Sequence, residues 1–121
     1  MKTFLAIYTG SAASPERAAW DRLSEEERQR RQAAGMKAWM EWAERHRAVI
    51  VEGGGPLGKT KRVSSAGISD IRNNMAAYVI VRAESQEAAA RLFERHPHFS
   101  LFPGDGVEVM ECLPIPEQAK R

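Results

Sequence analysis

Residues Gly53–Thr60 read GGGPLGKT, and the fold turns on how they are read. Gly53, Gly58, Lys59 and Thr60 fill every fixed position of the phosphate-loop pattern G-x-x-x-x-G-K-[ST]. A true match would imply a doubly wound parallel sheet built around a nucleotide. The preceding segment, AVIVE, supplies the strand such a loop must follow. What comes after does not supply the helix. Residues 60–69, TKRVSSAGIS, are β-branched, carry Ser-Ser and Gly, and show no helical apolar period. Pro56 removes a backbone N–H inside the loop, where consecutive N–H groups must face phosphate oxygens. The next apolar strand ends in Arg82, which would repel Mg²⁺ where an acidic residue is needed. The stretch is therefore read as the loop of a β-hairpin.

Working outward, residues 3–9 (TFLAIYT) are rich in β-formers and end at Gly10, a first strand. Ser14-Pro15 places an N-cap before a proline at the first helical position, opening a short helix through Trp20 and Leu23. Ser24 followed by three glutamates forms a capping box. A long helix then runs to about Arg47, with Glu26–Arg30 and Glu27–Arg31 as supporting pairs and Gly35 as a weak point. Met36, Trp39, Met40 and Ala43 have the spacing of its core-facing stripe. Ala48–Glu52 and Lys61–Ser65 are read as the second and third strands, and Met75–Arg82 as the fourth. Ser85 caps a helix over SQEAAARLFERH, buried through Ala88, Ala89, Leu92 and Phe93 and stopped by Pro97. Val107–Leu113 closes the set, with Cys112 as a small buried hydrophobe, and residues 116–121 form a tail. The order is that of a ferredoxin-like βαββαβ unit, one α+β domain spanning 1–121. Two helices cover one face of such a sheet. The other face keeps apolar residues from AYVIV and VEVMEC, which predicts a homodimer with these faces together.

Composition narrows the function classes. The chain has 121 residues, 43% hydrophobic and 28% charged, with 18 basic and 16 acidic side chains interleaved. That suits one soluble globular domain, and with no basic block nothing predicts binding to nucleic acid or to an anionic membrane. The apolar run Phe4–Tyr8 is shorter than the roughly 7–15 residues of a signal-peptide core, and no run approaches the roughly 18 of a membrane span. One cysteine cannot form an internal disulfide. Together these predict a cytoplasmic protein.

Candidate chemistry centres on histidine. His96 and His98 stand in ERHPHFSLFPGDG, where a helix end favours imidazolium. Two readings stand for His96: a helix cap, or a catalytic general acid/base at the rim of a pocket. As ligand-binding neighbours we name Tyr8 and Glu52 at strand ends, Trp39 on the long helix, and His98; Trp39 reads equally as core or interface. His96-x-His98 with Asp105 falls short of a metal centre, and no cofactor motif is present. No nucleophile elbow, HExxH or RNA-recognition motif occurs.

The strand TFLAIYT, the helix MKAWMEWAERH, the following VEGGGPL, the helix ending ARLFERHPHF and the closing GVEVMECLPI resemble the YCII-related family over roughly residues 1–115. The most specific element is His96-Pro97 followed by the Val107–Leu113 strand. The resemblance implies a ferredoxin-like subunit that dimerises into an α+β barrel, with a small-molecule pocket between sheet and helices. Some members were proposed to be enzymes through a His/Asp pair in that pocket. His96 matches the helix-end member of the pair. The first-helix member has no counterpart, since AAGMKAW holds neither His nor Asp, and Met110 stands where an arginine is frequent. The resemblance thus implies either proton transfer by His96 or a non-catalytic ligand-binding module of the same fold.

Overall fold

Alternation along two apolar strands builds the centre of the molecule. The structure is a computed structural model and describes residues 1–116. Strand β1 (Lys2–Thr9) buries Phe4, Ala6 and Tyr8, while β5 (Met75–Ala83) buries Ala77, Val79, Val81 and Ala83. The two pair antiparallel with Phe4 opposite Val81, Ala6 opposite Val79 and Tyr8 opposite Ala77, so a period of two places all seven on one face. Strand β2 (Ile50–Pro56) pairs with β5 and β6 (Gly106–Glu111) with β1, both antiparallel, giving the order β2-β5-β1-β6. Helices fall between β1 and β2 and between β5 and β6. This is the ferredoxin-like α+β arrangement.

Helices α1 (Pro15–Asp21) and α2 (Glu25–Arg45) begin at Ser14 and Ser24, whose hydroxyls accept from the Arg17 and Glu27 amides at 3.0 and 3.1 Å. These are the expected caps. The expected pair Glu26–Arg30 is replaced, since Glu27 takes both Arg30 at 2.9 Å and Arg31 at 3.2 Å. The core stripe of α2 is also rotated from the expected one. Gly35 and Trp42 are buried and Trp39 and Ala43 half-buried, whereas Met36 and Met40 are exposed. The reason is the larger indole: Trp42 packs on Phe93 and sends its Nε1–H to the Leu92 carbonyl at 2.8 Å, a satisfaction no methionine offers. Gly35 is no weak point either. A Cβ there would lie 2.5 Å from the Phe102 ring, so its absence seats that ring on the helix.

The second half departs further from expectation. Ala48 and Val49 lie in a 3₁₀ turn (Arg47–Val49), and β2 begins at Ile50 and runs on through Gly53–Pro56. The first half of the GGGPLGKT stretch is therefore strand, paired to Tyr78 and Ala77 after two register shifts. Gly54 adopts φ +63°, and any Cβ would sit 1.9 Å from the Tyr78 carbonyl oxygen, so this bulge requires glycine. After Lys59 the chain enters β3 (Thr60–Ser64), which pairs only with β4 (Gly67–Ile71), an unexpected strand, in a separate exposed hairpin. No helix follows the motif. We therefore expect Lys59→Ala to leave the melting temperature unchanged with or without Mg-ATP. A Mg-ATP stabilisation of the parent lost in this variant would reinstate a nucleotide site.

Helix α3 (Gln86–Arg91) is capped by Ser85 as expected but is half the expected length. Leu92, Phe93 and Glu94 bond three residues back, and Arg95 turns to φ 58°. A further helix, α4 (Pro97–Ser100), then begins. Cys112 is exposed just beyond β6, not buried within a strand. The expected tail, apart from Pro116, lies outside the described residues.

Candidate functional site

The short α4 sets the site. The residue before a proline is pushed out of the helical region, and His96 obeys with ψ 146°. It becomes the N-cap of α4, with Pro97 at the first position, and is not the C-cap of α3. The negative end of a helix dipole is thus not what its ring meets. His96 is wholly buried, with its Nδ1 accepting from the His98 amide at 3.0 Å. That acceptor role leaves the ring proton on Nε2, directed to the Tyr8 hydroxyl oxygen at 3.1 Å. Both ring nitrogens are committed. Burial, with the neighbouring His98 and His46 adding to it, pushes the pKa of His96 down to about 3. The ring is neutral at physiological pH.

Aromatic rings close around this pair. Trp39 meets Tyr8 and His96 with centroids 4.5 Å from each, Trp42 meets His96 at 4.7 Å, and His98 meets Tyr8 at 5.2 Å. Burial raises the Tyr8 pKa well above that of a free phenol, so the hydroxyl keeps its proton. Since it accepts from His96, its own proton remains available to donate.

His98 is held from the opposite side. Its Nε2 lies 2.7 Å from the Thr9 carbonyl, to which it donates, and the neutral ring keeps its lone pair on Nδ1. Gly104 packs so closely that a Cβ would fall 2.2 Å from Nε2. Burial lowers the His98 pKa, and the Thr9 carbonyl, the Asp105 carboxylate and the Gly106 backbone partly oppose it. Asp105 is itself fixed, accepting from the Thr9 hydroxyl at 2.7 Å and the Ser11 amide at 3.0 Å, and these bonds hold its carboxyl below the usual range.

Next to this cluster lies a cavity of about 580 Å³. Trp39, Met36 and Phe102 form its helical side, and the Gly53–Pro56 backbone with Ala76–Tyr78 forms its sheet side. His98 and Arg17 contribute to its wall. The volume is within the usual range for small-ligand sites, and the lining is mostly apolar with a few polar groups.

The structure therefore brings Tyr8, Trp39, His96 and His98 together and leaves Glu52 out. Glu52 is opposite Ile80 on the other sheet face, exposed, and accepts from the Tyr78 hydroxyl at 2.8 Å. The register shift between Ile50 and Glu52 puts it there. His96 and Tyr8 stand behind the cavity wall, while His98 and Trp39 form part of it. Sequence reasoning missed Arg17, Phe102 and the glycine backbone. For the last, the available signal was a glycine run in a strand, which commonly marks close approach of a ligand or backbone.

No protein-family model matches the chain, and no curated protein matches it by sequence. Among solved structures it is similar to 5-chloro-2-hydroxyhydroquinone dehydrochlorinase (TftG) from Burkholderia phenoliruptrix AC1100, in complex with 2,5-dihydroxybenzoquinone. That similarity is 18% identity over 89% of this chain and 90% of the other, with a TM-score of 0.49. A likeness this slight transfers no residue role and no activity.

Proposed function

We propose that this chain is a YCII-like, cytoplasmic small-molecule protein acting as a homodimer, in which the histidine pair supports proton transfer at the cavity. The observation that carries this reading is the placement of His98. Its ring forms part of the cavity wall with the lone pair on Nδ1, while Nε2 is anchored on Thr9. A neutral, oriented imidazole beside an apolar cavity is suited to accept a proton from a bound molecule. His96 is then the positioning residue: its Nδ1 anchors the His98 amide and its Nε2–H orients the Tyr8 hydroxyl. The ferredoxin-like strand order and the His96-Pro97 motif opening α4 support the family reading. Among the described residues no helix is long and apolar enough to cross a membrane.

The second reading is a non-catalytic ligand-binding or regulatory module. One observation favours it: His96, the histidine that matches the family motif, has both nitrogens engaged and a pKa of about 3. A thermal-shift screen of small molecules tests both. A ligand at a hundred times its Kd should stabilise the parent by about 2.7 kcal/mol, and Trp39→Leu should remove most of that gain. With a hit in hand, turnover that is lost in His98→Asn, together with its pH dependence, establishes the enzyme. Saturable binding without product establishes the module. Hits that stabilise Trp39→Leu as much as the parent would place the ligand elsewhere.

A further inference from the structure

The charge on the cavity wall is one-sided. Among the described residues no aspartate or glutamate lines it, and Arg17 is its formal cation. Arg17 is held at the start of α1 by the Ser14 cap, its amide donating to the Ser14 hydroxyl at 3.0 Å. Its Nε bonds Asp21 at 3.2 Å, and among the described residues its two terminal guanidinium nitrogens make no hydrogen bond. The shape is also two-sided. Trp39 and Phe102 line it from the helical layer, and Gly53–Pro56 with Ala76, Ala77 and Tyr78 line it from the sheet. Five of the seven sheet residues in the wall are glycine or alanine, beside Pro56 and Tyr78. So little side-chain bulk suits a flat body better than a branched one.

We propose that the cavity takes a planar aromatic molecule bearing one carboxylate-like group, its ring between Trp39 and the glycine–alanine wall and its acid on Arg17. This rests on the cavity being a small-molecule site. A cationic ligand would meet Arg17 with no carboxylate in the wall, since Asp21, which pairs with the Arg17 Nε, does not line the cavity. A free nucleotide would need more donors than one guanidinium and would find Pro56, which has no N–H, within the glycine wall. A single planar acid matches a single fork of N–H donors, which binds carboxylates in bidentate fashion.

Two probes of one shape test the assignment, 2-naphthoate and its uncharged counterpart 2-naphthamide, titrated calorimetrically into the parent and into Arg17→Gln. The acid is expected to bind the parent about tenfold more tightly than the amide, a preference typical of one charge-assisted contact that is partly solvated. In Arg17→Gln the two should bind equally, and Arg17→Lys should restore part of the preference. The fold should not change, because the Arg17–Asp21 pair is solvent-exposed. Equal affinities for acid and amide in the parent would overturn the acidic class while leaving the cavity as a ligand site. No binding of either probe would overturn the aromatic class, and the thermal-shift screen would still judge the cavity. A preference for the acid that survives Arg17→Gln would remove Arg17 from recognition.

Discussion

Ile80→Asp is expected to turn a two-fold dimer, sedimenting at twice the 13.5 kDa chain mass, into a monomer or an unfolded chain. Ile80 lies on the sheet face opposite the helices, directly across from Leu5, which in turn faces Met110. Tyr78 and Ile7 form the neighbouring pair. Leu5, Ile7, Tyr78 and Ile80 are half-buried within one chain, and among the described residues no helix covers them. If a second copy lies against this face, an aspartate at its centre becomes a buried charge without a partner, costing several kcal/mol. In an isolated chain the same aspartate would reach water at little cost. Sedimentation of the parent as a monomer at micromolar concentration would dismiss the dimer. An Ile80→Asp protein that still sediments as a dimer would move the interface elsewhere.

Acid should destabilise the fold well above the carboxylate range, and His96 should account for the largest single share. The unfolded chain binds a proton on this histidine below its ordinary value of 6.5, while the folded chain binds it only near about 3. Between those limits the unfolded state holds more protons, so its contribution is complete above the upper limit and is lost as pH falls toward the lower one. Every tenfold difference in proton affinity between the two states is worth about 1.4 kcal/mol, so the loss over the window amounts to several kcal/mol. His98 and His46 are lowered mainly by burial and act in the same direction. Urea titrations from neutral pH to pH about 4 measure this, and His96→Gln should flatten the slope by up to one proton. The same variant should cost about 2–4 kcal/mol at neutral pH, through lost ring packing and disturbed bonds to Tyr8 and the His98 amide. Parallel pH profiles for parent and variant would mean that His96 titrates normally in the folded protein.

These two expectations draw on different sources. The apolar residues of the open face follow from alternation in AYVIV and in β1, a local pattern that needs no structure to see. VEVMEC instead gives that face Glu108 and Met110, because Val107 and Val109 pack on the core. The ionisation of His96 does not follow from its neighbours in the chain. Reading ARLFERH as one helix put His96 at a negative helix end, whereas Arg95 breaks to φ 58° and His96 opens a new helix. Proline explains both readings, since it ends one helix and begins the next, and only packing chooses. Trp42 contributes to that choice by taking the Leu92 carbonyl at the end of α3. The Met36 and Met40 stripe was displaced for a related reason: periodicity names a face to within one residue, and the bulk and N–H of an indole select among those choices.

By itself the sequence determined the caps at Ser14, Ser24 and Ser85, the strands at β1, β5 and β6, the ferredoxin-like order, and the absence of a helix after Lys59. All of these depend on contacts between residues near in the chain or on a period of two. The tertiary structure alone decided that Gly53–Pro56 would join the sheet, that Glu52 would face away from the histidines, and that Arg17 and Phe102 would help wall a cavity. The physical reason is sequence separation. Tyr8 and His96 are 88 residues apart and His98 and Thr9 are 89 apart, so those hydrogen bonds exist only once β1 and the segment after α3 have been packed together.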